Sequence, residues 1–174
     1  DIAVAKRYLG IEDKRMRVGF GYDIHQLKAG RPCILGGVHI ESGLGPDGHS
    51  DADVLIHALM DAMLGAAGLR DIGYYFPPED DQYKGISSML LLEKVNFLLK
   101  ERGLQAYNID IMVISETPKL KPHIDMMKAN LQSILKIPLD RISIKATTNE
   151  MLGAIGRREG IAAQAVVSVY EGEV

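Results

Sequence analysis

The sequence predicts an α+β fold, a two-layer sandwich in which helices cover one face of a mixed sheet of four to five strands. The chain has 174 residues, of which 47% are hydrophobic and 25% charged, as expected of one globular domain. Segments with alternating apolar residues and segments with helical periodicity follow one another in the order β-β-α-α-β-α-β-β. That order is typical of helices layered on one face of a sheet.

The first two strands are predicted from the alternation of apolar residues. The first covers residues 15–22. The second covers 32–40 and is interrupted by Gly36 and Gly37, a pair that is typical of a turn or a bulge. The segment 41–50 is predicted to be a loop.

Two helices follow this loop. Ser50 or Asp51 is expected to cap the first helix, whose apolar residues recur at helical spacing until Gly68 ends it. The segment 71–85 is rich in Pro, Gly and acidic residues and is predicted to be a loop. The second helix is predicted over 87–102, again followed by a glycine.

The remaining elements complete the sheet. Alternation predicts a strand over 107–115, a turn at 117–122 leads into a helix over 123–136, and the closing strands are 141–147 and 161–169. The last strand is rich in Ala, Val and Ile. Because the helices cover only one face of the sheet, another subunit is expected to cover the opposite face.

Charge and cysteine content exclude several classes of partner. The net charge is -3 and no long basic run is present, which argues against nucleic acid and against an anionic membrane surface. The single cysteine, Cys33, cannot form an internal disulfide, and no signal sequence or long apolar span is evident. A reducing compartment is expected.

A candidate metal site consists of Asp23, His25 and His57. Residues 17–23 are interpreted as a strand, and because side chains on a strand alternate between faces, Asp23 and His25 project from the same side and form a two-ligand half-site. An imidazole from the first predicted helix completes a set of two His and one carboxylate, which suits zinc and leaves a fourth position open for chemistry. The competing interpretation is a chance Asp-x-His pair and an ordinary core histidine.

Two acids lie on the same stripe of the first helix as His57. Asp53 and Asp61 are each four residues away from it, so either is placed to accept the N–H of the second ring nitrogen, as carboxylates do beside zinc ligands. A solvated polar face is the alternative, and the spacing does not decide between the two.

A second polar cluster begins at the end of the strand predicted over 141–147. It contains Thr147, Thr148 and Glu150, with Arg157 a few residues further on. Hydroxyl and backbone N–H groups suit phosphate oxygens, a carboxylate suits a hard cation, and a guanidinium suits an oxyanion. The spacing of Thr147 and Glu150 also matches a helix capping box, which is the competing interpretation.

Six motifs stand in order between about residues 17 and 169. They are Gly-Tyr-Asp23-Ile-His25, His49-Ser50-Asp51-Ala-Asp53-Val-Leu-Ile-His57-Ala-Leu, Asp71-Ile-Gly73, Pro118-Lys-Leu-Lys-Pro-His123, Lys145-Ala-Thr-Thr-x-Glu150 and Gly156-Arg157-x-Glu159-Gly160-Ile-Ala. Together they closely resemble the 2-C-methyl-D-erythritol 2,4-cyclodiphosphate synthase family of the non-mevalonate isoprenoid pathway.

The resemblance implies a homotrimer with active sites between neighbouring subunits and an apolar channel on the three-fold axis. It implies that Asp23, His25 and His57 are catalytic residues that hold Zn²⁺. It also implies that Glu150 holds Mg²⁺ or Mn²⁺ together with the diphosphate of the substrate. The expected location is the bacterial cytoplasm or the plastid stroma.

The resemblance further implies where the substrate is held. His49 and Ser50 match residues that engage the methylerythritol phosphate end, and Asp71 and Gly73 match residues that hold the ribose and position that end of the ligand. The remaining matches are the cytosine pocket at Ser115, Lys119, Leu120 and Lys121, the CDP phosphate site at Lys119, Thr147 and Thr148, and the lining of the axial channel at Arg157 and Glu159.

The implied reaction is an intramolecular phosphoryl transfer catalysed by a lyase. The 2-phosphate of 4-diphosphocytidyl-2-C-methyl-D-erythritol 2-phosphate attacks the β-phosphorus and expels CMP. The product is 2-C-methyl-D-erythritol 2,4-cyclodiphosphate.

Two parts of the chain depart from the family pattern. Where the family commonly has Phe-Pro-Asp, this chain has Pro78 in place of the acid, and Glu79 or Asp80 is left as the substitute. Residues 1–14 are interpreted as an N-terminal appendage that resembles the last helix of a cytidylyltransferase and is compatible with the tail of a fused enzyme. Residues 15–174 form the predicted synthase domain.

Overall fold

The computed structural model describes residues 15–172, in which a five-stranded mixed sheet carries helices on one face. The strands are β1 (Met16–Ala29), β2 (Cys33–Leu35), β3 (Val38–Ile40), β4 (Leu44–Asp47), β5 (Leu104–Ile114), β6 (Ile142–Thr147) and β7 (Gly160–Glu171). The α-helices are α1 (Val54–Ala66), α2 (Ile72–Tyr75), α3 (Ser88–Lys100), α4 (Ile124–Leu135) and α5 (Gly153–Gly156), and short 3₁₀ helices lie at Asp81–Tyr83, Lys121–His123 and Leu139–Arg141.

The order of strands in the sheet confirms the predicted α+β class. It runs β4-β1-β7-β5-β6, with antiparallel pairing throughout except for the parallel pair β5 and β6. β2 and β3 form a separate hairpin. Gly36 and Gly37 form its turn with φ of 57° and 69°, a conformation that favours glycine, so the predicted break at this pair is confirmed.

Long-range pairing adds structure where local pattern predicted a loop. β1 continues past the predicted end at residue 22 because it pairs with β7 as far as Gln26 and then with β4 up to Ala29. β4 therefore lies inside the segment predicted as loop 41–50. The segment 71–85 likewise contains α2 and a 3₁₀ helix. The predicted N-terminal appendage lies outside the described residues.

The cap of α1 is Asp53, whose carboxylate accepts the N–H of Ile56 at 3.2 Å, so the prediction of Ser50 or Asp51 is wrong. Those two side chains instead accept backbone N–H groups two residues on, at 3.2 Å in each case. Such local bonds stabilise a turn rather than the first turn of a helix, so the helix begins later.

Helix α1 packs directly on β1 at two glycines. A Cβ added at Gly19 would lie 1.9 Å from the carbonyl oxygen of Ala62, and one added at Gly21 would lie 2.0 Å from that of Ala58. No side chain larger than hydrogen fits at these distances. The strand and the helix therefore touch through their backbones, and the residues beside this contact are held in register.

The face of the sheet opposite the helices is apolar and exposed. Val18, Phe20, Tyr22 and Ile24 project from β1 on this face, and Phe20 is 62% exposed. Val166, the partner of Phe20 on β7, is also exposed. The prediction of an apolar sheet face that helices leave uncovered is thus confirmed for one copy of the chain.

Among residues 15–172, no helix combines the length and the hydropathy that a bilayer crossing requires.

Candidate active site

The side chains of Asp23, His25 and His57 converge on one point. Nε2 of His25 lies 2.9 Å from Oδ2 of Asp23, and Nδ1 of His57 lies 3.0 Å from the same oxygen. The two ring nitrogens are 3.2 Å apart. Ligands about 2.0 Å from a tetrahedral zinc ion are roughly 3.3 Å from one another, so the three atoms have nearly the spacing of a zinc site.

The fold brings these three residues together through the contact between β1 and α1. Asp23 and His25 are two residues apart on β1 and both face the helices. His57 lies in the first turn of α1, next to Ala58, whose carbonyl group sits over Gly21. The backbone contact thus places the imidazole over the half-site on the strand, as the sequence predicted.

The electrostatics of the cluster favour a cation. Burial opposes charge on His25, but the hydrogen bond to Asp23 and the charge of that carboxylate outweigh it and raise the pKa of His25. Burial likewise opposes charge on Asp23, yet the two imidazoles hold the pKa of this carboxyl far below its usual value. Nδ1 of His25 lies 2.9 Å from the carbonyl oxygen of Asp47, which can only accept, so Nδ1 carries the proton. In the neutral ring, Nε2 then offers a lone pair to the cluster.

The two helix acids do not contact the ring of His57, so the prediction that Asp53 or Asp61 orients it is wrong. Asp53 is fully buried, and its carboxylate accepts the backbone N–H groups of the β2–β3 turn at 3.0 and 2.8 Å. Asp61 accepts the N–H of Ile72 at 2.8 Å. Spacing along one helix face did not reveal these partners because both lie on other segments.

A cavity of about 260 Å³ opens beside the metal cluster. His49 and Ser50, predicted to engage the methylerythritol phosphate end of a substrate, and Gly73, predicted to hold the ribose and position the ligand, line it together with Asp23, His25 and His57. Asp71 is exposed at the N-terminus of α2 and is not part of the lining. The remaining lining forms an apolar wall that consists of Ile72, Phe76, Pro78, Tyr83 and Leu91.

The apolar wall includes residues that the sequence analysis did not single out. Phe76 and Tyr83 form an edge-to-face pair with ring centroids 5.4 Å apart. The signal available in the sequence was the presence of aromatic residues in a segment otherwise rich in Pro, Gly and acids. Pro78 lines the cavity, whereas Glu79 is exposed and Asp80 caps the 3₁₀ helix through Gln82. Neither acid lines the cavity.

The second predicted cluster lies where the parallel strands β5 and β6 end. The N–H of Ser115 donates to the carbonyl of Thr147 at 2.9 Å, which joins the two strand ends. Thr148 donates its hydroxyl to the carboxylate of Glu150 at 2.9 Å. Glu150 lies in a turn and not in a helix, so the capping-box interpretation is wrong.

Glu116 organises this turn and was missed in the sequence. Its Oε1 accepts the N–H of Asn149 at 2.9 Å and that of Met151 at 3.2 Å. Glu150, between them, has φ of 49°, and Met151 has φ of 61°, conformations that side chains rarely adopt. One carboxylate oxygen thus holds a strained turn in place, and nothing in the local sequence pattern indicated it.

The other predicted residues are distributed around the same strand ends. Leu120 is 3% exposed, so its side chain belongs to the core and only its backbone is available to a ligand, while Lys119 and Lys121 are exposed. Arg157 and Glu159 form a two-point ion pair at 2.7 and 3.1 Å just before β7.

The two clusters lie at the same end of the sheet but apart within one chain. His25 on β1 pairs with Ile161 at the start of β7, and Ile114 on β5, the partner of Thr147 on β6, pairs with Ala162. β1 and β6 are three strand spacings apart, roughly 14 Å at ~4.8 Å per spacing. The metal cluster and the turn of Glu150 are therefore separate sites in a single copy.

A family model of the YgbB family matches residues 16–170. The chain belongs to the YgbB family. The YgbB match begins with β1, includes every site residue from Asp23 to Glu159 and nearly reaches the end of β7.

Curated relatives of this YgbB chain are similar over nearly their whole length. The 2-C-methyl-D-erythritol 2,4-cyclodiphosphate synthase of Synechococcus elongatus is 59% identical over 152 residues, which cover 87% of this chain and 95% of the relative. The enzyme of the same name from Halothermothrix orenii is 56% identical over 156 residues, covering 90% and 94%.

Solved structures share the fold. The bifunctional IspDF from Campylobacter jejuni matches with a TM-score of 0.88 and 40% identity over 97% of this chain and 47% of that one, so this chain spans about half of it. IspF of Plasmodium falciparum, solved as a CDP complex, matches with a TM-score of 0.80 and 32% identity over 91% and 97% of the two chains.

Proposed function

We propose that this protein converts 4-diphosphocytidyl-2-C-methyl-D-erythritol 2-phosphate to 2-C-methyl-D-erythritol 2,4-cyclodiphosphate with release of CMP, as a lyase of isoprenoid biosynthesis. The observation that carries the proposal is the convergence of Asp23, His25 and His57 at the mouth of a cavity, in a chain 59% identical to a synthase of that name.

Two cations are part of the proposal. Zn²⁺ is assigned to Asp23, His25 and His57, since two imidazoles and one carboxylate with an open fourth position suit zinc chemistry. Mg²⁺ or Mn²⁺ is assigned to Glu150, whose carboxylate suits a hard cation that also binds diphosphate oxygens. When bound there, the ions would polarise phosphoryl oxygens and neutralise the charge that develops on the leaving group.

The reaction needs no general base from the protein. A phosphate monoester has a second pKa of about 6 and is mostly dianionic at neutral pH, so its oxygen is already a nucleophile. A bond forms between this oxygen and the β-phosphorus while the bond to the α-phosphate oxygen breaks, and the electron pair leaves with CMP. The remaining barrier comes from the entropy of orienting the reacting groups and from the repulsion between anions. Catalysis therefore depends mainly on the geometry in which the substrate is bound.

The residues of this chain supply that orientation. His49 and Ser50 are assigned to the 2-phosphate end, and the apolar wall at Ile72 and Phe76 excludes water from the carbon skeleton. Asp71 and Gly73 are assigned to holding the ribose and positioning the ligand. The base and the CDP phosphates are assigned to Ser115, Lys119, Leu120, Lys121, Thr147 and Thr148.

A homotrimer completes the proposed active site. One copy exposes an apolar sheet face at Val18, Phe20, Tyr22 and Ile24, which a second and a third copy would bury. In one chain the metal cluster and Glu150 are on strands roughly 14 Å apart, so a neighbouring copy is needed to present the second cluster to the first. Arg157 and Glu159 are assigned to the axial channel.

The chain segment 1–14 is proposed to be the tail of a fused cytidylyltransferase. The similarity to the bifunctional IspDF from Campylobacter jejuni supports this reading, since the match covers 97% of this chain. The intact mass of the native protein tests it, because a species near 19.1 kDa would exclude a fusion. The proposed location is the bacterial cytoplasm or the plastid stroma.

The proposed activity is tested by product analysis. The protein is incubated with the diphosphocytidyl substrate, Zn²⁺ and Mg²⁺, and the products are followed by ³¹P NMR. Cyclisation gives CMP and a cyclic diphosphate, whereas a zinc hydrolase would give an open phosphate. His57→Ala should lose zinc and lower turnover at least about 100-fold, and the exposed His39→Ala is the matched control. An open product, or full turnover by His57→Ala, would refute the proposal.

A further inference from the structure

A buried chain of hydrogen bonds runs from the ring of His57 to the carboxylate of Asp51. Nε2 of His57 lies 2.9 Å from the hydroxyl oxygen of Ser88, which is 0% exposed. That hydroxyl lies 2.5 Å from Oδ1 of Asp51, and the backbone N–H of Ser88 donates to Oδ2 at 2.8 Å. Three segments meet here: the loop before α1, α1 itself and the start of α3.

The direction of these bonds follows from the number of protons available. An ionised carboxylate only accepts, and a serine hydroxyl has one proton to donate. At 2.5 Å from Asp51, the hydroxyl must donate to the carboxylate, because two lone pairs at that distance repel. The oxygen of Ser88 is then left to accept, so the atom that donates to it is Nε2–H of His57.

We propose that Asp51 and Ser88 are positioning residues that hold His57 in the Nε2-protonated tautomer. Its Nδ1 then carries a lone pair, which points at Asp23 and His25. With both imidazoles neutral and the lone pair on Nε2 of His25, the cluster presents three acceptor atoms and no donor. A cation is the partner that such a set binds. The inference rests on the proposed metal site. It states that Asp51 and Ser88, which do not bind the metal themselves, select the tautomer in which His57 can bind it.

Ser50 is the other hydroxyl near His57, and the geometry favours Ser88 over it. The oxygen of Ser50 is 3.2 Å from Nε2 and also accepts the N–H of Ala52 at 3.2 Å. Ser50 lines the cavity, where a ligand competes for its hydroxyl. Ser88 is fully buried and held at both its hydroxyl and its backbone, so its contact with the ring persists when the cavity is filled.

The isosteric variant Asp51→Asn tests the direction of the chain without creating a cavity. Oδ2 of Asp51 accepts the N–H of Ser88 at 2.8 Å, a shorter bond than the one that Oδ1 accepts from the N–H of Asp53 at 3.2 Å. The amide oxygen of Asn should therefore face the N–H of Ser88, which turns the amide NH₂ towards the hydroxyl. The hydroxyl then accepts from Asn and donates to Nε2, so His57 should change to the Nδ1-protonated tautomer. Ser88→Ala should produce the same change by removing the acceptor. Ser87→Ala is the matched control, since Ser87 is exposed and caps α3.

Two measurements decide the outcome. Long-range ¹H–¹⁵N spectra of the zinc-free protein, at a pH where the imidazoles are neutral, report the tautomer of His57. Competition with a chromophoric chelator reports zinc affinity, which should fall about 10- to 100-fold in both variants and stay unchanged in Ser87→Ala. An Nε2-protonated His57 in folded Asp51→Asn and Ser88→Ala would overturn the inference.

The proposed function and the inference about the tautomer of His57 can be refuted independently of each other. If the wild-type protein bound no zinc, the proposed metal site would be refuted. The tautomer of His57 in the zinc-free spectra would still test the roles of Asp51 and Ser88. Conversely, a wild-type protein that binds zinc and turns over substrate, with His57 Nδ1-protonated in its zinc-free form, would leave the proposed function intact and refute the inference.

Discussion

Gly21 of β1 lies directly under Ala58 of α1, so closely that a Cβ on the glycine would come within 2.0 Å of the carbonyl oxygen of Ala58. His57 precedes Ala58, and Asp23 follows Gly21 by two residues on the same face of the strand. The distance between the proposed metal ligands on the strand and on the helix is therefore set by a contact between two backbones.

Gly21→Ala should separate the ligands. The helix must move away to admit a methyl group, which we expect to lower the free energy of unfolding by about 1–3 kcal/mol and to weaken zinc binding, because His57 moves with the helix. Denaturant unfolding and chelator competition measure the two effects. Gly43→Ala is the control, since nothing lies within 4 Å of its added methyl group. A Gly21→Ala protein with unchanged zinc affinity would contradict the role given to this contact.

The pH dependence of stability should carry a contribution from Asp53. Burial raises the pKa of this carboxyl to about 6, against 3.8 for the exposed group, despite the hydrogen bonds from the β2–β3 turn. The folded state thus holds the proton more tightly than the unfolded state. The contribution of Asp53 to stability is fully present below about pH 4 and is lost as the pH rises to about 6.

Comparison with Asp53→Asn isolates this contribution. The difference in free energy of unfolding between wild type and variant should fall as the pH rises from about 4 to about 6 and become constant above that range. Urea unfolding at each pH measures it. A difference that grows with pH would mean that the folded state prefers the ionised carboxylate, contrary to the argument from burial.

Glu116→Ala should disturb the proposed cation site at Glu150 and leave the proposed site at Asp23, His25 and His57 intact. The turn that carries Glu150 loses the acceptor for the N–H groups of Asn149 and Met151. We expect the Mg²⁺ or Mn²⁺ concentration for half-maximal activity to rise about tenfold or more, with zinc content unchanged.

Glu116→Gln provides the matched control, since its amide oxygen can still accept both N–H groups. This variant should behave like wild type in the same titration of Mg²⁺ or Mn²⁺. Equal behaviour of the Ala and Gln variants would argue that Glu116 acts through its charge or not at all.

Phe20→Lys should abolish the proposed trimer and the activity with it. Phe20 is 62% exposed on the apolar sheet face, where a buried ammonium group is unfavourable. Light scattering after gel filtration should show a monomer, and metal analysis should still find zinc, because Asp23, His25 and His57 come from one chain.

Phe97→Lys is the control for this experiment, since Phe97 is similarly exposed, at 60%, but lies on α3 and away from the sheet face. It should leave both the oligomeric state and the activity unchanged. A trimeric, active Phe20→Lys protein would mean that another surface forms the assembly.

Much of the fold was predictable because it depends on local periodicity. The first half of β1, the strands β5, β6 and β7 and the helices α1, α3 and α4 were predicted from alternation and helical spacing, and the Gly36–Gly37 turn from the backbone freedom of glycine. β4 and the far half of β1 were missed. The far half of β1 pairs first with β7 and then with β4, and such pairing between distant segments leaves little trace in any one segment alone.

By itself, the sequence determined which chemical groups are available and which face of β1 carries them. The period of two along a strand places Asp23 and His25 on the same face once the strand extends through them. Only the tertiary structure decided the partners of His57. Ser88 is 31 residues away from His57 in the sequence. Asp53 and Asp61, the acids beside His57 on α1, instead accept hydrogen bonds from other segments. Hydrogen bonds between segments depend on how closely the backbones pack, and here that packing follows from the absence of a side chain at Gly21.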